Sequence, residues 1–140
     1  MSHALTLYAV GLVSVFLLDG VWLGLLMRQF YKVQLGPLAR MTGDSLTPIW
    51  PAAILVYVLI VAGVQAFVLP RVSDVNPGWT GFAWGALFGL VTYGLYDLTN
   101  YATLNRWPLV LTVVDMAWGA MICGTASAVL AVADRWLRQA

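Results

Sequence analysis

Four long apolar segments constrain the fold of this chain more than any other feature of its sequence. They cover residues 4–27, 49–69, 79–104 and 108–133, and none of them contains Lys or Arg. A helix needs about 20 predominantly apolar residues to cross the hydrocarbon layer of a membrane, and each segment meets that length. We therefore expect a single all-α domain over residues 1–140, an integral membrane bundle of four antiparallel transmembrane helices.

The composition excludes the main alternatives to a membrane protein. Of the 140 residues, 61% are hydrophobic and only 9% are charged, which is too little charge to cover the surface of a soluble domain. A mean hydropathy of +0.85 excludes a disordered chain. The net charge of +1 gives no basic surface for nucleic acid, and the single cysteine, Cys123, excludes a disulfide framework. We expect the lipid bilayer as the main partner, and no cofactor or metal ion.

The loop charges encode the membrane orientation only weakly. Positive charge favours the cytoplasmic side, so a small excess on one side would place both chain ends outside. Such a near balance also suits a protein that inserts both ways round. One side holds Arg28, Lys32, Arg40 and Arg106, and the other side holds Arg71, Arg135 and Arg138.

The segment after the first apolar run mixes basic and aromatic residues. It reads RQFYKVQL over residues 28–35. This pattern predicts a short helix lying on the membrane surface, and an ordered loop without a role is the alternative.

Three carboxylates lie inside apolar segments, at Asp19, Asp97 and Asp115. A carboxylate at the centre of a membrane helix costs about 2.5–3.5 kcal/mol, so three of them need an explanation. Each lies about seven or eight residues from the end of its segment, which corresponds to roughly 10–12 Å of helix. The three ends face the same side of the membrane. We therefore expect the three acids at a similar depth, with Asp97 and Asp115 as the closest pair.

Aromatic and polar side chains recur around these acids. The spacing D-x-x-W occurs at Asp19 and again at Asp115, and it places acid and indole on one helix face. Because the two helices run oppositely, the indoles are expected on opposite sides of the acidic layer. The third segment carries a polar stripe at i, i+4, i+7 and i+8 that begins at Tyr93. The predicted proton- or ligand-binding pocket comprises Asp19, Asp97, Asp115, Asn100, Trp22, Trp118, Tyr93, Tyr96 and Tyr101.

No basic residue in the apolar segments neutralises the three acids. The acids therefore either carry exchangeable protons or await a cationic ligand, which the aromatic faces would help to bind. The structural alternative is that protonated acids, amides and phenols only hold the helices together by hydrogen bonds.

Glycines at intervals of four indicate close helix packing, within the bundle or between protomers of a homodimer. These glycines are Gly20, Gly24, Gly81, Gly85 and Gly89.

Several of these motifs are shared with a known family. The strings are LDGVWLG at residues 18–24, YDLTNYATL at 96–104 and VDMAWG at 114–119, together with Phe30-Tyr31 and Trp107-Pro108. Through them the chain resembles a bacterial family of predicted membrane proteins catalogued as domain of unknown function 2177. The resemblance implies a four-helix, multi-pass protein, expected in the bacterial inner membrane, and supplies no activity. The resemblance also implies that six residues stand at the recurring positions of the family: Asp19, Trp22, Asp97, Asn100, Asp115 and Trp118.

Three functions from different classes remain open at this point. The first is proton-coupled binding or transport of a small cationic or hydrophobic solute by the acidic pocket. The second is a membrane-embedded enzyme that modifies a lipid or an isoprenoid, with an aspartic acid as proton donor. The third is a structural or accessory membrane subunit, docked through the ridge that Gly81, Gly85 and Gly89 form.

Overall fold

The computed structural model describes residues 3–139 and is almost entirely helical, which confirms the prediction of a helical protein. The helices lie close to the four apolar segments, with one short helix between the first two. The five α-helices are α1 (His3–Val21), α2 (Arg28–Leu35), α3 (Trp50–Gly63), α4 (Pro77–Thr103) and α5 (Leu109–Gln139).

Shorter elements extend or connect these helices. Helix α1 continues through a π-helical turn over Trp22–Leu26, and α3 continues through a second one over Val64–Val68. Between α2 and α3 lies a small hairpin of strands β1 (Met41–Thr42) and β2 (Ser45–Leu46). Two 3₁₀ turns, Gly36–Leu38 and Leu69–Arg71, complete the described elements.

Three stretches of helix are long and apolar enough to cross a membrane: His3–Leu26, Trp50–Arg71 and Leu109–Gln139. Helix α4 has 27 residues but is less apolar, because glycines, threonines and tyrosines alternate with its leucines. Large apolar side chains such as Leu25 and Leu95 are exposed on the outside of the bundle, which suits contact with lipid.

Helix α4 packs closely against α5 through its glycines. A Cβ atom on Gly81 would lie 2.9 Å from the Ser127 carbonyl oxygen, and one on Gly85 would lie 2.5 Å from the Cys123 carbonyl oxygen. A Cβ atom on Gly89 would overlap Gly119. The absence of side chains on this ridge therefore brings the two helix backbones together.

Helices α1 and α3 close the other side of the bundle. The Tyr8 hydroxyl donates to the Val58 carbonyl oxygen at 2.6 Å, which joins the two helices directly. Val15, Val61 and Ile122 are buried together and form the centre of the core between α1, α3 and α5. The acidic site lies beside this cluster.

Gly20 and Gly24 differ from the expectation of packing within the bundle. Both are exposed, and a Cβ atom on either would meet nothing within 4 Å. They lie on the outer face of the first helix, because the buried face of α1 runs through Leu7, Gly11 and Val15. Contact between two copies of the chain stays a prediction for this pair.

Two basic side chains of α2 contact the hairpin of β1 and β2. Lys32 forms an ion pair with Asp44, and an Arg28 guanidinium nitrogen donates to the Ser45 hydroxyl oxygen at 2.7 Å. The hydrogen bond and charge of Lys32 lower the pKa of Asp44. These contacts fix the hairpin relative to α2.

The glycine ridge generates a prediction about stability. Gly85→Ala forces a methyl group against α5 and should lower the free energy of unfolding by about 1–3 kcal/mol. Gly78→Ala is the matched control, because a Cβ atom there would lie 3.7 Å from Val132 Cγ2, an ordinary van der Waals contact. Unfolding by denaturing detergent in mixed micelles measures both variants. Equal stability of the two variants would contradict the packing described here.

Candidate functional site

Asp19 is buried at the junction of three helices, and both of its carboxylate oxygens accept hydrogen bonds. The Tyr57 hydroxyl on α3 donates to Oδ2 at 2.8 Å, and the Trp118 indole nitrogen on α5 donates to Oδ1 at 2.9 Å. The side chain is only 7% exposed. A single carboxylate therefore joins α1, α3 and α5.

Asp115 is held from outside the bundle core by the short helix α2. The Tyr31 hydroxyl donates to Asp115 Oδ1 and itself accepts a hydrogen bond from the Trp22 indole nitrogen at 3.1 Å. Burial, and then the hydrogen bond to Asp115, raise the pKa of the Tyr31 phenol. Tyr31 therefore keeps its proton and acts as a donor to the carboxylate.

The two indoles of the D-x-x-W motifs stack on each other. The rings of Trp22 and Trp118 lie 4.2 Å apart with an angle of 4° between their planes. The expectation that they lie on opposite sides of the acidic layer is wrong. Helical side chains lean toward the N-terminus of their own helix, so in two oppositely running helices the rings lean toward each other.

The two motifs pair crosswise as a result. Trp118 binds Asp19 on the other helix, and Trp22 reaches Asp115 through the Tyr31 hydroxyl. Each indole therefore contributes to the hydrogen bonding of the acid in the other motif, and the two indoles contact each other through their stacked rings.

Asp97 on α4 is completely buried, with 0% exposure, and neither of its carboxylate oxygens accepts a hydrogen bond from residues 3–139. Trp107 adjoins it, but the indole N–H of Trp107 donates to Thr112 Oγ1 at 3.2 Å. Asp97 lies within electrostatic reach of Asp115, which in turn interacts with the charge of Asp19.

No basic side chain in the described part of the chain pairs with these three acids. All the ion pairs among residues 3–139 lie elsewhere, at His3–Asp134, Lys32–Asp44 and Arg138–Asp134. Nor does any group of three or more His, Cys, Asp or Glu side chains within this range have the arrangement of a metal site. The cluster therefore combines buried acids with neutral phenol and indole donors.

The remaining predicted residues lie at different distances from this cluster. Tyr93 is half-buried, packs on Gly119 and borders the core next to Trp118. Tyr96 and Tyr101 are 59% and 46% exposed and lie on the outer surface, and the hydrogen bonds to Asp19 and Asp115 come from other residues. The polar stripe on α4 covers too wide an arc for all its members to face α5.

Asn100 and Tyr96, two residues of the predicted pocket, make contacts away from the acids. Asn100 is half-buried, and its backbone carbonyl accepts the bond that ends α4, from the Leu104 amide at 2.8 Å. Tyr96 contacts the edge of Trp107, with 5.7 Å between the ring centres. Neither contact involves an acid of the cluster.

Tyr31 and Tyr57 donate to the two hydrogen-bonded acids but are not among the residues of the predicted pocket. Tyr57 is the only hydroxyl-bearing residue in the apolar helix α3, and this isolation could have indicated a buried role. Tyr31 is the one buried residue of α2, the helix that was predicted for residues 28–35. Nothing in the local sequence indicated that this helix reaches an acid on α5.

A family model described as "Predicted membrane protein (DUF2177)" matches residues 4–132. This match confirms the resemblance drawn from the sequence motifs. No curated protein and no solved structure matches the chain.

The geometry at Asp19 generates a prediction about the hydrogen bond from α3. Tyr57→Phe removes a donor to a buried carboxylate and should lower the free energy of unfolding by about 1–2 kcal/mol. Tyr101→Phe, which removes an exposed hydroxyl, is the control and should change little. Unfolding in mixed micelles measures both, and an unchanged Tyr57→Phe variant would show that the bond contributes nothing to stability.

Proposed function

We propose that this chain, which belongs to the DUF2177 family of predicted membrane proteins, crosses the membrane four times and uses its buried acids to bind protons or a cationic solute. The proposed role is proton-coupled binding or transport of a small cationic or hydrophobic solute. The proposed location is the inner membrane of a bacterium.

The contacts of α4 support a fourth crossing. Helix α4 has 27 residues and extends about 40 Å, enough to cross the hydrocarbon layer. Gly81 adjoins Ala131 near one end and Gly94 adjoins Met116 near the other, so α4 runs antiparallel to the candidate span α5 along most of its length. Its acid, Asp97, is buried against protein rather than lipid.

The contacts of α1 support the same arrangement. His3 bonds to Asp134 at one end of α5, and Asp19 bonds to Trp118 further along. Gln65 bonds to the Ala4 carbonyl oxygen, while Tyr57 bonds to Asp19, so α3 also runs opposite to α1. These directions support the proposal of four antiparallel crossings.

The buried carboxylate of Asp97 is the single observation that carries the functional proposal. A charged carboxylate without a hydrogen-bond partner or a counter-ion is very costly in a medium of low polarity. Asp97 has neither within the described residues. It therefore holds a proton in this arrangement, and a bound cation is the alternative way to satisfy it.

The neighbouring acids extend this argument to a coupled site. Asp115 and Asp19 bind neutral donors, Tyr31 and Tyr57, which stabilise a carboxylate without cancelling its charge. Loss of one proton from the cluster leaves a net negative charge that attracts a cation. Binding of a cation therefore releases a proton, which is the coupling that an exchanger needs.

The stacked indoles favour a solute site over an enzyme that stabilises a carbocation. Trp22 and Trp118 cover each other's inner faces, so those faces are not available to an isoprenoid cation in this conformation. A hydrophobic cation would enter by parting the two rings, which then contact it from both sides. Binding of the cation and a change in its access to the acids therefore depend on the same pair of indoles.

The number of crossings is tested by labelling single cysteines in a Cys123→Ala background with a membrane-impermeant maleimide. Four crossings place Thr42→Cys and Asn105→Cys on one side of the membrane and Ser73→Cys on the other. The first two variants should show the same protected fraction in sealed vesicles, and the third the complementary fraction. Complete protection of both Ser73→Cys and Asn105→Cys, or of neither, would show that α4 does not cross.

The role of the acids is tested with purified protein and the hydrophobic cation tetraphenylphosphonium. Binding should strengthen as the pH rises, because protons and the cation compete for the same carboxylates, and it should release protons detectable by a pH-sensitive dye. Asp97→Asn and Asp115→Asn should each weaken binding about tenfold, since each removes one carboxylate.

Asp44→Asn is the control, because Asp44 lies in the exposed hairpin and has no part in the cluster. It should bind the probe like the unmodified protein. Unchanged binding and proton release in both Asp97→Asn and Asp115→Asn would overturn the proposal and favour a structural role for the acids.

A further inference from the structure

A second polar site lies at the end of the bundle remote from the acids. A cavity of about 480 Å³ opens between the turn that follows α3 and the last turns of α5. This volume is typical of small-ligand sites. Its walls combine apolar and charged residues, among them Leu69, Pro77, Asp74, Asp134, Arg135 and Arg138.

The cavity lies where a membrane surface is expected. The candidate spans Trp50–Arg71 and Leu109–Gln139 both end at its walls. The third candidate span begins at His3, which bonds to the lining residue Asp134 at 2.6 Å. Each of the three candidate spans therefore has one end at this cavity. This position corresponds to the depth of lipid headgroups.

The charges of the cavity are balanced but only partly paired. Asp134 accepts from His3 through Oδ1 and from Arg138 through Oδ2, which satisfies both of its oxygens. Arg135 donates to the backbone carbonyl oxygen of Asp74 at 2.7 Å and keeps its other N–H groups. Within residues 3–139, no hydrogen bond or ion pair engages the Asp74 carboxylate.

This leaves one cationic and one anionic group for a ligand, next to each other. The guanidinium of Arg135 binds phosphate well, and the N-terminus of α4 at Pro77 adds a partial positive charge at the cavity wall. The free carboxylate of Asp74 suits an ammonium group that can donate hydrogen bonds. A phosphate joined to an amine by a short linker matches both.

The surface next to the cavity is apolar. Val75 and Val132 adjoin lining residues in the sequence and are strongly exposed, and Trp136 is exposed on the last turns of α5. Exposed tryptophan is typical of the membrane interface. Acyl chains attached to a bound headgroup would find an apolar surface here.

We propose that this cavity binds the headgroup of a phospholipid that carries both a phosphate and a primary ammonium group. The phosphate contacts Arg135 and the start of α4, and the ammonium group contacts the Asp74 carboxylate. The site is independent of the acid cluster and of the function proposed for it.

The proposal is tested on the full-length protein in detergent by following the unfolding temperature through tryptophan fluorescence. The micelles contain phosphatidylethanolamine, phosphatidylcholine or phosphatidylglycerol, and a fourth sample contains inorganic phosphate alone. Phosphatidylethanolamine should raise the unfolding temperature by about 4 °C at a concentration well above its Kd. The shift should be smaller with phosphatidylcholine, whose headgroup nitrogen cannot donate hydrogen bonds.

Arg135→Gln and Asp74→Asn should each abolish the shift, because each removes one of the two charged contacts. Both side chains are exposed at the bundle end, so these variants are expected to fold. Arg40→Gln, which removes an exposed charge beside the hairpin, is the control and should keep the full shift. An equal or larger shift with phosphatidylglycerol or with inorganic phosphate alone would overturn the proposal, as would a full shift in Arg135→Gln.

Discussion

In hydrocarbon, a carboxylate must find its hydrogen-bond partners inside the protein, and this requirement organises the structure around Asp19. One of its oxygens accepts a hydrogen bond from α3, and the other accepts one from α5. Because Asp19 is buried, these two donors take the place of water, and the three helices meet at one position along their lengths. The glycine ridge then brings α4 against α5 and places Asp97 beside the same cluster.

The two D-x-x-W motifs form one unit because they lie on helices that run in opposite directions. Each motif supplies an acid and an indole. Trp118 donates directly to Asp19 of the other motif, whereas Trp22 donates to the Tyr31 hydroxyl, which in turn donates to Asp115. The two ends of the bundle differ in character: the acids nearer α2 pair with no basic side chain among residues 3–139, whereas the other end carries paired charges of both signs.

The helical architecture, the buried acids and the family could be predicted from the sequence, because apolar length and intramembrane carboxylates leave few alternatives. The tyrosines that donate hydrogen bonds to these acids could not be predicted. Tyr57 has no neighbour in sequence that marks it, and Tyr31 acts on an acid 84 positions away. The stacking of Trp22 on Trp118 depends on how side chains lean in two opposed helices, and the exposure of Tyr96 depends on which arc of α4 faces α5. These features depend on how the helices pack against each other, which the spacing of residues within a single helix does not reveal.

The partners of Asp19 also impose an order on biogenesis. One of its donors, Trp118, lies 99 positions later in the chain, so α1 is synthesised well before this donor. Until α5 is synthesised, the carboxylate of Asp19 lacks one of its two hydrogen bonds. Full hydrogen bonding of this buried acid is thereby tied to the arrival of α5.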